Sequence, residues 1–289
     1  MIANVTTGLP ADDFAYLCEL MHRRAAIVVE PGKEYLALSR LDPVAREIGV
    51  PSVAALVDVL RGQDDRSPLH DRVVDALTTN ETTFFRDHNP FESLRTHVLP
   101  TLIDARRSAR TLAIWSAGCS SGQEPYSIAM AIREHFPELL TWRLTLLGTD
   151  ISPSMLDRAR RGHYGQLEVN RGLPAHLLVR HFTRAGMDWE IEEPIRRMVR
   201  FERHNLVGEW PALPPFDLIL MRNVMIYFDA DAKRRVLARA HRQLAPNGFL
   251  LLGASETTYN LSDDFDRDLD GRTVWYRPKR TDPVGGAGR

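Results

Sequence analysis

The sequence predicts an α/β protein in which a small all-α domain precedes an open, mostly parallel sheet that carries a small inserted β-subdomain. Three observations carry this. Apolar residues recur at helical spacing through residues 10–77, where no strand signal intervenes. From about residue 110, short apolar runs alternate with helical stretches, the pattern of a parallel sheet covered on both faces. Residues 163–203 then break that alternation.

In the first domain, residues 1–77, Phe14, Leu17, Leu20, Met21 and Ala25 share a helical face behind Pro10 and the first-turn acids Asp12 and Asp13. Ser52 is placed to cap a helix whose inner face is Val53, Leu56, Val57 and Leu60. Leu69, Val73 and Leu77 continue the pattern after Pro68. The second domain is expected over residues 78–280. Its first strand, 112–115, runs into Gly118-Cys119-Ser120-Ser121-Gly122 and a helix bearing Ile128, Ala129, Ala131 and Ile132. A strand at 143–147 leads to a Gly148-Thr149-Asp150 turn and a helix entered through Ser152-Pro153. Residues 216–221 and 248–253 read as buried strands. The helix between them carries Val236, Leu237, Ala240 and Leu244 and is stopped by Pro246-Asn247-Gly248. Residues 273–277 form a last strand, expected antiparallel at the sheet edge. The insertion, approximately 175–203, holds a helical stretch (175–182) and short strands at 189–192 and 198–203. The Gly-rich tail, 281–289, reads as disordered.

Among the 289 residues, 37 basic side chains stand against 38 acidic ones, so no bulk charge favours nucleic acid as a partner. The two cysteines, Cys18 and Cys119, make neither a disulfide framework nor a CxxC metal pair, and no metal is expected. No N-terminal leader pattern is present, and no uncharged apolar run approaches the ~18 residues of a membrane helix. A soluble protein of a reducing, cytoplasmic compartment, not inserted in a membrane, is the expectation.

In an open α/β sheet a ligand sits at the carboxyl ends of the strands. The loop there reads GCSSGQEP, which lacks the GxGxxG spacing for a dinucleotide pyrophosphate. It also brings an acid, Glu124, to the start of the helix. An acid suits a ligand with amino and hydroxyl donors and no phosphate, and S-adenosylmethionine is such a ligand. The alternative is a Gly-rich turn that merely joins strand to helix. Asp150 ends the second strand, where a carboxylate can accept from both ribose hydroxyls; a plain turn aspartate is the alternative. Asn205 and Leu206 follow the 198–203 strand, where an amide and an apolar side chain could hold an adenine.

Four motifs, NETTFFR (80–86), GCSSGQEPYS (118–127), GTDIS (148–152) and RNVMIYFD (222–229), stand in an order and spacing that resemble the CheR-type chemotaxis receptor (protein-glutamate) O-methyltransferases. The resemblance runs from about residue 10 to residue 278. It implies a helical N-terminal domain, a Rossmann-like class I S-adenosylmethionine-dependent methyltransferase domain and an inserted β-subdomain. It also implies that Asn80, Thr82 and Arg86 contact the methionine end of the cofactor, Arg86 near its carboxylate, with Glu124 beside its amino group. Asp150 would bind the ribose, Asn205 and Leu206 the adenine, and Asn223 and Val224 would close the pocket. Tyr227 would lie close to the transferred methyl, and Arg86 and Tyr227 are the catalytic candidates.

The implied reaction moves a methyl from S-adenosylmethionine to glutamate carboxylates of chemoreceptors, leaving S-adenosylhomocysteine. A glutamate is already ionised at neutral pH, with a reference pKa of about 4.3, so no general base or metal is required. This agrees with the lack of a GxSxG elbow, an HExxH motif or clustered Cys/His ligands. The implied partner is the cytoplasmic helical bundle of a chemoreceptor, and a monomer is expected. Eight basic residues face eight acids between positions 23 and 72, so a basic docking face must come from segregation in space. Residues 183–200 are short, which points to a member that does not dock a receptor's C-terminal peptide. A related methyltransferase with another substrate, and a cofactor-binding sensor without catalysis, are the competing functions.

Overall fold

The helical periodicity of the N-terminal third becomes four helices: α1 (Ala11–Ala25), α2 (Glu34–Glu47), α3 (Val53–Arg61) and α4 (Pro68–Leu77). The computed structural model describes residues 8–211 and 213–279. By its internal contacts the chain divides into two units, Met1–Thr79 with Tyr227–Ala232, and Asn80–Ile226 with Lys233–Arg289.

In the helical unit the apolar stripes meet in a core where Leu17, Leu20, Met21, Leu41, Leu56, Leu60 and Val73 are inaccessible to solvent. Ser52 caps α3 as expected, its hydroxyl accepting from the Ala55 N–H at 3.1 Å. His70 is fully buried between the Ser67 hydroxyl (2.8 Å) and the Tyr16 hydroxyl (3.1 Å), a packing histidine. Residues 227–232 join this unit by backbone: the Val28 N–H donates to the Tyr227 carbonyl at 2.8 Å, and Ile27 pairs antiparallel with Phe228.

The second unit begins with a stretch that apolar spacing does not resolve: α5 (Asn89–Ser93), a π turn (Leu94–Val98) and α6 (Leu99–Arg106). The alternation follows as β1 (Thr111–Ala117), α7 (Gln123–His135), β2 (Arg143–Asp150) and α8 (Pro153–Arg161). Then come β3 (His163–Tyr164), α9 (Gln166–Val169), α10 (Ala175–His181), β4 (Phe182–Ala185), β5 (Asp188–Ile191), α11 (Glu193–Arg196) and β6 (Val199–Arg203). The unit closes with β7 (Phe216–Met221), α12 (Ala230–Gln243), β8 (Leu244–Leu252), β9 (Phe265–Asp270) and β10 (Thr273–Pro278). The main sheet has the order β6-β2-β1-β7-β8-β10-β9, parallel except for β10, which runs antiparallel to both neighbours.

Three features differ from expectation. The 198–203 strand, expected within the insertion, is β6 of the main sheet, in register with β2 from Leu146↔Val199 to Asp150↔Arg203. Its alternate residues Val199 and Phe201 are buried, and the Phe201 ring fills the space left by Gly148, where a Cβ would lie 2.9 Å from it. The three-stranded inserted sheet, in the order β3-β5-β4, instead recruits His163 and Tyr164. Finally, β10 is interior and β9 is the edge. The sequence of β9, FDRDLD, carries charges that blunt an exposed edge and hide it from a search for apolar runs. The tail expected to be disordered, 281–289, lies outside the described residues. Among the described residues no helix is long and apolar enough to cross a membrane.

Candidate functional site

The carboxyl ends of β1, β2, β6 and β7 lie side by side, so the loops leaving them converge. The loop after β1 is pinned to the end of β2: the Gly118 and Cys119 N–H groups both donate to the Thr149 carbonyl, at 2.8 and 2.9 Å. Gly118 adopts φ +78°, and a Cβ there would lie 2.3 Å from Val224 Cγ2. Only glycine permits both the conformation and this approach of the β1 and β7 loops.

Asp150, buried at the end of β2, is oriented by backbone. Its Oδ2 accepts from the Ser120 N–H (2.7 Å) and its Oδ1 from the Ser152 N–H (2.9 Å). Its carbonyl accepts from the His204 N–H at 2.9 Å, which brings Asn205 and Leu206 alongside. Asn205 Oδ1 accepts from the Val207 N–H (3.2 Å). The Leu206 carbonyl accepts from Trp210 Nε1 (2.8 Å) and Arg239 (3.2 Å), while its side chain is buried. The neighbouring His204 is held below the usual histidine range by burial, with Arg239 adding to the effect.

Glu124 stands in the first turn of α7. Its two oxygens accept from the Ser116 hydroxyl (2.8 Å) and from Arg222 (2.9 Å). Arg222, whose side chain is 2% exposed, also donates to Asp87 (2.6 Å) and to the Arg86 carbonyl (2.9 Å). Arg222 is the first residue of RNVMIYFD, and the sequence expectation gives it no role; a charged residue directly after the buried strand FDLILM is the available signal. Its guanidinium joins Glu124 to the NETTFFR segment.

That segment crosses the β1 loop, with the Asn80 carbonyl accepting from the Ser120 hydroxyl at 2.8 Å. Thr82 is half-buried between Asn80 and the buried Phe84. The Arg86 guanidinium donates to the Glu81 carbonyl at 3.0 Å and has no carboxylate at ion-pair distance among the described residues. Phe85, Asp87, His88, Ser120 and Asn223 all have positive φ, a concentration of backbone strain around one face.

Asn223 and Val224 leave β7, with Asn223 Oδ1 enclosed and without a hydrogen-bond partner among the described residues. Next to them, at the ends of β7 and β8, is a cavity of about 360 Å³ whose wall includes Asp87, Arg222, Gly253, Glu256, Arg267 and Tyr276. Tyr227 is grouped by its contacts with the helical unit. The other nine candidate residues belong to the second unit and stand on the loops at one end of its sheet or on the NETTFFR segment. Cys119 is buried, and burial pushes its thiol well above the usual range, so it is a packing group. Among the described residues no three His, Cys, Asp or Glu side chains are placed to hold a metal.

Two oriented carboxylates and one uncommitted guanidinium suit a ligand with an amino group, a ribose and a carboxylate. They are a poor set for phosphates, so the residues present fit S-adenosylmethionine. Comparison with known proteins agrees. The CheR methyltransferase SAM-binding domain matches residues 80–269, and the CheR methyltransferase all-alpha domain matches residues 12–78. Chemotaxis protein methyltransferase 1 of Pseudomonas aeruginosa is 42% identical over 92% of this chain and 98% of its own. Chemotaxis protein methyltransferase Cher2 of Pseudomonas putida is 40% identical over 92% and 98%. Chemotaxis protein methyltransferase 1 of Vibrio cholerae is 39% identical over 94% and 100%.

Proposed function

The chain belongs to the CheR methyltransferase family, and on that premise we propose that it methylates glutamate side chains on the cytoplasmic helical bundle of chemoreceptors, acting as a cytoplasmic monomer. The observation that supports the site assignment most directly is the pairing of oriented Asp150 and Glu124 carboxylates with the uncommitted Arg86. In this reading Asp150 accepts from the ribose hydroxyls, Glu124 faces the amino group, and Asn80, Thr82 and Arg86 hold the methionine end. Asn205 and Leu206 take the adenine, and Asn223 and Val224 form the wall.

S-adenosylmethionine supplies, when bound, an electrophilic methyl on a sulfonium. The protein's task is then to align an acceptor that is already nucleophilic and to exclude water from two opposite charges. Tyr227, as a neutral hydroxyl, orients the incoming carboxylate without weakening it as an ion pair would. Arg222 supports this chemistry indirectly, because a neutralised Glu124 repels an approaching glutamate less.

The test is transfer of labelled methyl from S-adenosylmethionine to the cytoplasmic fragment of a chemoreceptor from the same cell. Label released as methanol by mild alkali identifies a carboxyl ester. Base-stable label, or none despite cofactor binding, sinks the glutamate reading while leaving the methyltransferase assignment intact.

A further inference from the structure

After β7 the chain leaves the sheet through Arg222, Asn223, Val224, Met225 and Ile226, and turns at once, with Asn223 at φ +58°. Such a turn points successive N–H groups at one spot, a concavity that ordinarily draws an anion. Here the anion is the protein's own Glu256, beyond the end of β8. Its Oε2 accepts from the Asn223 N–H (2.8 Å) and the Gly253 N–H (2.6 Å). Its Oε1 accepts from the Val224 N–H (3.0 Å) and the Ile226 N–H (3.1 Å). Four donors fill about the four acceptor sites a carboxylate offers. Although Glu256 lines the cavity, it therefore has no lone pair to spare as a base.

We propose that Glu256 is a positioning residue of the methyl-transfer site, holding the backbone turn that presents Asn223 and Val224 to the cofactor. The turn it holds is the one that sets Val224 against Gly118, where a Cβ would lie 2.3 Å from Val224 Cγ2. On the other side, a Cβ at Gly253 would lie 2.7 Å from Glu256 Oε2 and 2.8 Å from the Asn223 nitrogen, so the ends of β7 and β8 approach with only a glycine between them. The loops after β8, β7 and β1 thus form one series of contacts: Glu256 fixes the 223–226 backbone, that backbone fixes Val224, and Val224 bounds the Gly118 loop. No other side chain among the described residues bonds the Asn223, Val224 and Ile226 amides. The inference rests on the proposed placement of cofactor against Asn223 and Val224.

The test uses the full chain carrying Glu256→Gln, which keeps the shape but turns one acceptor into a donor facing N–H groups. Titration calorimetry with S-adenosylhomocysteine and with S-adenosylmethionine should show binding weakened tenfold or more. Turnover at saturating cofactor should fall by more than KM for the protein substrate rises. Glu256→Asp keeps the charge and should recover part of both. Gly253→Ala disturbs the same carboxylate from the other side and should reproduce the defect; these two variants carry the test if the glutamine form does not fold. Asn223→Ala serves as the reference. Variants that fold and bind cofactor within twofold of the native protein, while Asn223→Ala is weakened, overturn the role of Glu256 alone. An Asn223→Ala protein with native affinity overturns the placement of the cofactor and the proposal with it.

Discussion

Replacing Gly118 with alanine perturbs the site by amounts that the structure lets one work out. The residue adopts φ +78°, and an L side chain in the left-handed region costs about 1–2 kcal/mol. The new methyl would also lie 2.3 Å from Val224 Cγ2, well inside the ~3.5–4.0 Å of optimal carbon contact. Relieving that overlap costs about 1–3 kcal/mol, as for other overpacked interiors. The total expected destabilisation is thus about 3 kcal/mol. Chemical denaturation of Gly118→Ala, Val224→Ala and the double variant separates the two parts. Measured against Val224→Ala, the double variant lacks the clashing Cγ atoms, so its Gly118→Ala step should show only the backbone cost of about 1–2 kcal/mol. Calorimetry with S-adenosylhomocysteine should report weaker binding by Gly118→Ala, because the displaced loop carries the Ser120 N–H that orients Asp150. A Gly118→Ala protein as stable as the native one, or a double variant showing no coupling, refutes the reasoning.

Asp150→Asn keeps the shape of the side chain but sets an amide against the Ser120 and Ser152 N–H donors. A lost charged hydrogen bond is worth about 1.5–3 kcal/mol, so calorimetry should show cofactor affinity down by roughly 10–100-fold. Tyr227→Phe should cut turnover by about tenfold, the worth of one neutral hydrogen bond, and leave cofactor affinity nearly unchanged; unaltered turnover removes the tyrosine from the reaction. Burial holds His70 and His204 below the usual histidine range, so each takes up a proton more readily in the unfolded chain. Their contribution to stability is therefore present above the unfolded pKa of about 6.5 and is lost as pH falls below it. Melting temperature should drop between pH 7.5 and 5.5, and substituting asparagine at both positions should shrink that drop.

The order of a helical domain before an α/β domain was legible because each carries its own hydrophobic period. The stripes on α1, α3 and α4 repeat at helical spacing, while β7, FDLILM, is buried at all six positions and is apolar at every one but Asp217. What sequence missed lacks that signature. Strand β9 is charged because it is an edge, and β6 reads in sequence as part of the insertion because its partner β2 lies some fifty residues earlier. The loops after β1 and β2 announced themselves by glycines and acids at strand ends. Arg222 and Glu256 did not, because their partners are set by tertiary structure: one is joined to Glu124 across 98 positions, the other to backbone amides about thirty positions away. A side chain that serves backbone N–H groups has no partner residue type to search for.

The same contacts account for the many acids near the candidate site of a methyltransferase proposed here to act on a carboxylate. In the proposed reaction an anionic glutamate must approach a cationic sulfonium, and any other unneutralised carboxylate there would compete for the cation and repel the acceptor. The structure places a counter-partner on each acid before any ligand arrives: Arg222 and Ser116 on Glu124, two backbone N–H groups on Asp150, four on Glu256. Each acid is thereby fixed in direction and lowered in effective charge, so orientation is settled at folding rather than at binding. Arg86, committed only to a backbone carbonyl, is the exception. In the proposed site its charge is the one that would meet the carboxylate of the cofactor.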